Sequence, residues 1–146
     1  MEKLLISACL LGISSRYDGA SKKAFSDDEL DAILEKYQLV PFCPEIYGGL
    51  PTPRTPSERN GTEVFMKDGT RVTDNYNKGA SEALFLCRKL GIKKALLKAK
   101  SPSCGKGEIY DGSFSGTLTV GDGVTAELLQ KNGIEVFSEM EIDKII

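Results

Sequence analysis

The residues best equipped for chemistry in this chain are four cysteines, Cys9, Cys43, Cys87 and Cys104, in a sequence without histidine. The lack of an imidazole removes Ser–His–Asp hydrolysis, Cys–His proteolysis and His-ligated zinc. Any reaction must run on Cys, Asp, Glu, Ser, Lys, Arg, Tyr or a cofactor. No two cysteines form a C-x-x-C pair, the spacing that structural zinc sites and redox dithiols favour. Three separated cysteines suit an iron–sulfur cluster with one iron left without a protein ligand, because cluster irons take thiolates and an open iron acts as a Lewis acid. Spacing alone equally admits small buried apolar residues.

The elements that position these thiols can be read along the chain. Leu4-Leu5-Ile6-Ser7 is a short apolar run before a Gly-containing loop, Cys9 to Gly19, and predicts a buried strand. Ser26 and Glu29 form a capping box, and Leu30, Ile33, Leu34 and Tyr37 follow at helical spacing. Leu39-Val40-Pro41-Phe42 predicts a second strand ending at Cys43. The Gly-, Pro- and Thr-rich stretch 48–61 predicts a loop. Asp68-Gly69 is a tight-turn pair, so 63–67 and 70–73 are expected to form a hairpin. A helix from about Asn75 carries Tyr76, Ala80, Ala83, Leu84, Cys87 and Leu90 on one face, with Gly91 as its C-terminal cap; Cys87 there reads as core packing. Ala95-Leu96-Leu97 predicts a third strand, 110–123 a loop, Val124–Lys131 a helix, and Ile134–Phe137 a fourth strand. Ser138 and Glu141 then open a short terminal helix. Alternating strands and helices predict a single α/β domain over 1–146, Rossmann-like, with a mostly parallel sheet, helices on both faces and a β-hairpin insertion.

Composition narrows the partners. The 146 residues are 40% hydrophobic and 27% charged, and 19 basic against 21 acidic side chains give a net charge of −2. This balance offers no footprint for direct nucleic-acid binding or an anionic membrane, so a small molecule or a protein is the expected partner. Ile6-Ser7-Ala8-Cys9 superficially resembles a lipoprotein processing site, but the apolar stretch before it is far shorter than the roughly 7–15 residues of a signal core. No apolar run approaches the roughly 20 residues of a membrane span. A cytoplasmic protein with free thiols is expected.

In open parallel sheets, ligands bind beyond the carboxyl ends of the strands. Cys9, Cys43 and Cys104 follow the first, second and third strands, so the topology gathers them at one edge. The residues around them carry a resemblance. Ser7-Ala8-Cys9-Leu10-Leu11-Gly12 with Arg16-Tyr17-Asp18-Gly19, then Cys43-Pro44-Glu45 with Gly48-Gly49-Leu50-Pro51-Thr52-Pro53-Arg54, and finally Lys98 to Gly105 with Ile109-Tyr110-Asp111-Gly112, resemble in order the three motifs of the thiouracil desulfurase family. The match spans essentially the whole chain.

The resemblance implies that Cys9, Cys43 and Cys104 hold a 4Fe–4S cluster, sensitive to oxygen, whose fourth iron receives the sulfur of a thiolated pyrimidine such as 2-thiouracil. It also implies a non-redox reaction giving uracil and sulfide. Glu45 would handle a proton or orient water, and Ser101 would hydrogen-bond the substrate or the developing adduct. Arg16, Arg54 and Lys106 read either as binders of an anionic group or as cations that hold loops by hydrogen bonds, the second reading being preferred. Two alternatives keep the cluster: transfer of sulfide to an acceptor, and a non-catalytic iron–sulfur carrier or sensor.

Overall fold

The computed structural model describes residues 1–20 and 23–146. Its centre is a four-stranded parallel sheet of β1 (Glu2–Ser7), β2 (Tyr37–Phe42), β5 (Lys94–Leu97) and β8 (Glu135–Ser138), in the order β2-β1-β5-β8. Two further strands, β3 (Ser57–Asn60) and β4 (Glu63–Met66), pair antiparallel, as do β6 (Glu108–Tyr110) and β7 (Leu118–Val120). The helices are α1 (Asp27–Lys36), α2 (Pro44–Tyr47), α3 (Thr73–Leu90) and α4 (Val124–Lys131), with 3-10 turns at Ala8–Leu11 and Glu139–Lys144.

Alternation along the central strands builds a core on each face. Leu4, Ile6 and Leu96 pack with Ile33 of α1, Tyr37 and Ile145. Leu5, Ala95 and Leu97 face the other way and meet Ala83, Leu84 and Cys87 of α3 and Ala126 and Leu129 of α4. All three central residues of β1 are fully buried, which is why that strand reads as a continuous apolar run. The expected capping box forms at Ser26 with Glu29, a second one forms at Ser138 with Glu141 where a terminal helix is expected to open, and Gly91 ends α3 in the left-handed conformation with φ 68°.

Several readings change. Tyr37 starts β2 directly after α1 rather than closing that helix, while Leu34 and Leu90 are exposed rather than packed. The principal partner of β4 is β3, upstream of it, in the stretch read as loop. The Asp68-Gly69 turn does form, but beyond it only the bridge between Phe65 and Arg71 continues the pairing. Thr73 is already the first residue of α3, its hydroxyl accepting from the Val64 N–H at 2.9 Å. The stretch after Tyr110 contains β7, whose residues are all exposed; with neither face covered, no apolar alternation marks it.

Two glycines set how closely the site-bearing segments approach. A Cβ on Gly79 of α3 would lie 1.9 Å from the Pro44 carbonyl oxygen, and one on Gly123 would lie 2.4 Å from the Ser103 carbonyl carbon. Backbone cannot yield as a flexible side chain can. Gly79→Ala is therefore expected to cost about 2–3 kcal/mol and lower Tm by about 10 °C, measured by thermal unfolding. An unchanged Tm would mean that α2 and α3 separate freely.

Candidate functional site

The strand order reverses between β1 and β5, and such a switch point opens a crevice at the carboxyl ends of the strands. A cavity of about 800 Å³ lies there, lined by Cys9, Cys43 and Cys104 together with Glu45, Arg54 and Ser101. Cys9 sits in the 3-10 turn after β1, and Cys43 immediately follows β2 as the residue before α2. Cys104 lies on the loop after β5. The three thiols, sought from the sequence, come together; Cys87 does not, and packs in the core beneath α3 at 1% exposure.

Local bonds position two of the three cysteines. The Cys43 sulfur lies 3.9 Å from the Ser15 carbonyl, to which its S–H donates. Cys104 is set by a tight loop in which the Ser101 hydroxyl oxygen accepts the N–H groups of Ser103 and Cys104, both at 3.1 Å. That loop is latched to α4: Val124 N–H donates to Pro102 O and Thr125 N–H to Ser103 O, each at 2.8 Å. The buried hydroxyls of Ser103 and Thr125 meet at 2.9 Å. This is the physical reason for the close contact at Gly123.

Burial governs the thiols' acidity. It pushes Cys9 up to about 11, with the neighbouring Cys43 adding to the rise and Lys98 opposing it. Cys43 is raised chiefly by burial, while the N–H groups of Ile46 and Glu45 pull the other way. Cys104 is raised most, again by burial, with the Ser7 hydroxyl opposing and Cys43 and Cys9 reinforcing. A thiol whose pKa is raised stays neutral until the pH approaches that value, and only the thiolate is nucleophilic. Metal-free protein is thus expected to react slowly with iodoacetamide at Cys9 and Cys104 near neutral pH, and to accelerate as pH rises toward 11. Mass spectrometry of the labelled sites checks this. Rates at pH 7 matching those of a free cysteine would contradict the desolvated environment.

The three thiols line one cavity, and an all-thiol donor set suits iron. Among the described residues no three Cys, Asp or Glu are placed to close on a single metal ion. All four cysteines are free.

Glu45 is not an ordinary loop carboxylate. Arg54 grips its Oε2 through Nε at 2.9 Å and through Nη2, and the two side chains are only 13% and 3% exposed. Arg54 also donates to Ser15 O at 3.0 Å, Pro51 O at 3.2 Å and Thr52 Oγ1 at 2.9 Å. It therefore ties the loop of Cys9 to the helix after Cys43. The buried Tyr76 phenol of α3 adjoins Glu45, which, after burial, raises its pKa. Arg16 faces Asp18 at 3.5 Å on the cavity wall, and Lys106 pairs with Glu141 at 3.2 Å away from it. Of the three cations, Arg54 makes several loop-tying hydrogen bonds, whereas Arg16 and Lys106 each face a single carboxylate.

Sequence reasoning missed several lining residues. Glu139, just past β8, accepts from Ala99 N–H at 2.6 Å and pairs with Lys98 at 3.1 Å. Ser7 accepts the Lys98 N–H at 3.0 Å. Ser7 ends β1 and Glu139 directly follows β8, and this place at a strand's carboxyl end is the one signal that could have singled them out.

The fold and this cavity define an α/β protein with a three-thiol site at its topological switch point. Residues 4–141 match the 2-thiouracil desulfurase family, and the chain belongs to that family. It is 49% identical to the solved structure of the [4Fe-4S]-dependent thiouracil desulfidase TudS, with a TM-score of 0.94 over 99% of this chain and 95% of that one. It is also 37% identical to the uncharacterized protein YbbK of Bacillus subtilis (strain 168), over 98% of this chain and 99% of that protein. No helix among the described residues is long and apolar enough to cross a membrane.

Proposed function

We propose that this protein is a 4Fe–4S-dependent desulfidase that replaces the sulfur of a thiolated pyrimidine, such as 2-thiouracil, with oxygen from water. The observation that carries this reading is the gathering of Cys9, Cys43 and Cys104 in one desolvated cavity beside a paired Glu45 and a fixed Ser101. The likeness to TudS supports it. Cys9, Cys43 and Cys104 would hold the cluster, whose binding draws protons off all three thiols. When bound, the cluster supplies an iron without a protein thiolate, a Lewis acid for thiocarbonyl sulfur.

The remaining chemistry falls to the chain's own groups. Arg54 engages Oε2 of Glu45 and the Tyr76 phenol adjoins the same carboxylate, which would take a proton from water as it adds to the ring carbon. The Ser101 oxygen is engaged by two N–H groups, and its own proton is what it offers to the adduct. Arg54 and the α2–α3 packing hold Glu45 in place. The sum is hydrolysis: a C–S bond breaks, a C–O bond forms, and sulfide leaves with no change of oxidation state.

The test is turnover of 2-thiouracil by anaerobically purified protein with neither reductant nor oxidant added. Uracil and sulfide should appear in equal amounts. A requirement for an electron donor or acceptor would contradict the hydrolytic reading.

A further inference from the structure

Among the described residues, two that are not glycine hold a positive φ: Lys100 at 69° and Phe114 at 55°. Both line the three-thiol cavity. L-residues avoid this region because Cβ crowds the backbone, and such conformations persist where the surroundings over-determine them, often at functional sites. At Phe114 the surroundings are identifiable. Oε1 of Glu58, on β3, accepts the N–H of Gly112 at 2.9 Å and of Phe114 at 3.1 Å. One carboxylate oxygen thus ties the β6–β7 loop to the neighbouring hairpin. Asp111 N–H donates to Thr117 O at 3.0 Å and closes the loop's base.

Core packing does not account for the ring. Phe114 belongs to none of the three apolar clusters and is half-buried. Glycine would adopt this backbone without strain, yet a phenyl stands there, on the wall of a cavity. We propose that Phe114 is a substrate-contacting residue whose ring packs against the flat face of the heteroaromatic substrate, with Glu58 as its positioning residue. Flat bases stack on aromatic rings with little dependence on their substituents, so this wall would select for a planar ring and leave recognition of sulfur to the cavity floor. The inference rests on the desulfidase reading and adds to it the residue that recognises the ring.

The test compares holoprotein of the parent with Phe114→Leu, Phe114→Tyr, Glu58→Ala and Glu58→Gln, each with its iron content and Tm recorded. Phe114→Leu keeps apolar bulk but loses the flat face, and should raise KM for 2-thiouracil about fivefold while kcat per iron stays near the parent's. Phe114→Tyr should restore KM. Glu58→Ala should raise KM because it frees the loop, and Glu58→Gln should not, because its amide oxygen still accepts both N–H groups. Parental KM in Phe114→Leu overturns the inference, and if that variant fails to fold, equal KM values for the two Glu58 variants overturn it. Should the parent not turn over 2-thiouracil, the desulfidase reading fails separately. Calorimetric binding of uracil to parent and Phe114→Leu holoprotein then decides: weaker binding by the variant sustains the wall, and equal binding, or none by the parent, ends it.

Discussion

Alanine in place of Cys9, Cys43 or Cys104 is expected to leave anaerobically purified protein without a stable cluster, whereas Cys87→Ala keeps its full iron content. Each of the first three thiols lines the same cavity and interacts electrostatically with the others. With only three thiolates to offer, the chain has no spare ligand among its cysteines, and loss of one leaves a second iron unheld. Cys87 is fully buried among apolar residues, and burial alone raises its pKa to about 11. Its replacement removes one buried atom and should cost roughly 1 kcal/mol. Iron and acid-labile sulfide assays on the four variants, with Tm beside them, check this. Iron lost from Cys87→Ala but kept by one of the others would reverse the assignment.

The second large effect is expected at Glu45 and Ser101. Glu45→Gln removes the proton-accepting carboxylate and should slow sulfide release per iron by about 10²–10⁴-fold. The structure adds a consequence for stability. Arg54 is only 3% exposed, and deleting one partner of a buried ion pair strands the other, at about 3–5 kcal/mol. The Glu45→Gln variant should therefore also melt earlier, which Arg54→Gln should match in Tm while retaining more turnover because the carboxylate survives. Ser101→Ala removes the acceptor of two N–H groups as well as the hydroxyl, so it should loosen the Cys104 loop and lower iron loading as well as rate. Rates normalised to iron separate the two. Near-parental turnover per iron in both variants would leave neither residue a chemical role.

The parts of this molecule that rest on local signals were legible in the sequence. The capping boxes at Ser26 and Ser138, the Gly91 cap and the helix Val124–Lys131 all depend on neighbours within a few residues, and all are present. The central strands were legible because burial on both faces makes them continuously apolar. The small strands β3 and β7 were not. Ser57–Asn60 is polar throughout, and Leu118–Val120 is exposed on both sides, so their pairing is decided by partners elsewhere in the chain.

The site divides the same way. Topology alone gathers Cys9, Cys43 and Cys104, because each follows a parallel strand. The burial of Arg54 against Glu45, the phenol of Tyr76 and the reach of Glu139 to Ala99 come from segments that meet only in three dimensions. Arg54 lies in a Gly- and Pro-rich stretch that reads as a loop; its motif singles it out, but its burial against Glu45 is not legible from its neighbours. Phe114 was similarly silent, since a positive φ leaves no mark in a sequence except where glycine supplies it.

The most direct test of the central claim is the metal content of protein purified and kept without oxygen. The account predicts a brown protein with about four irons and four acid-labile sulfides per chain, bleaching in air. A colourless protein that holds stoichiometric zinc after anaerobic reconstitution with iron and sulfide would contradict it.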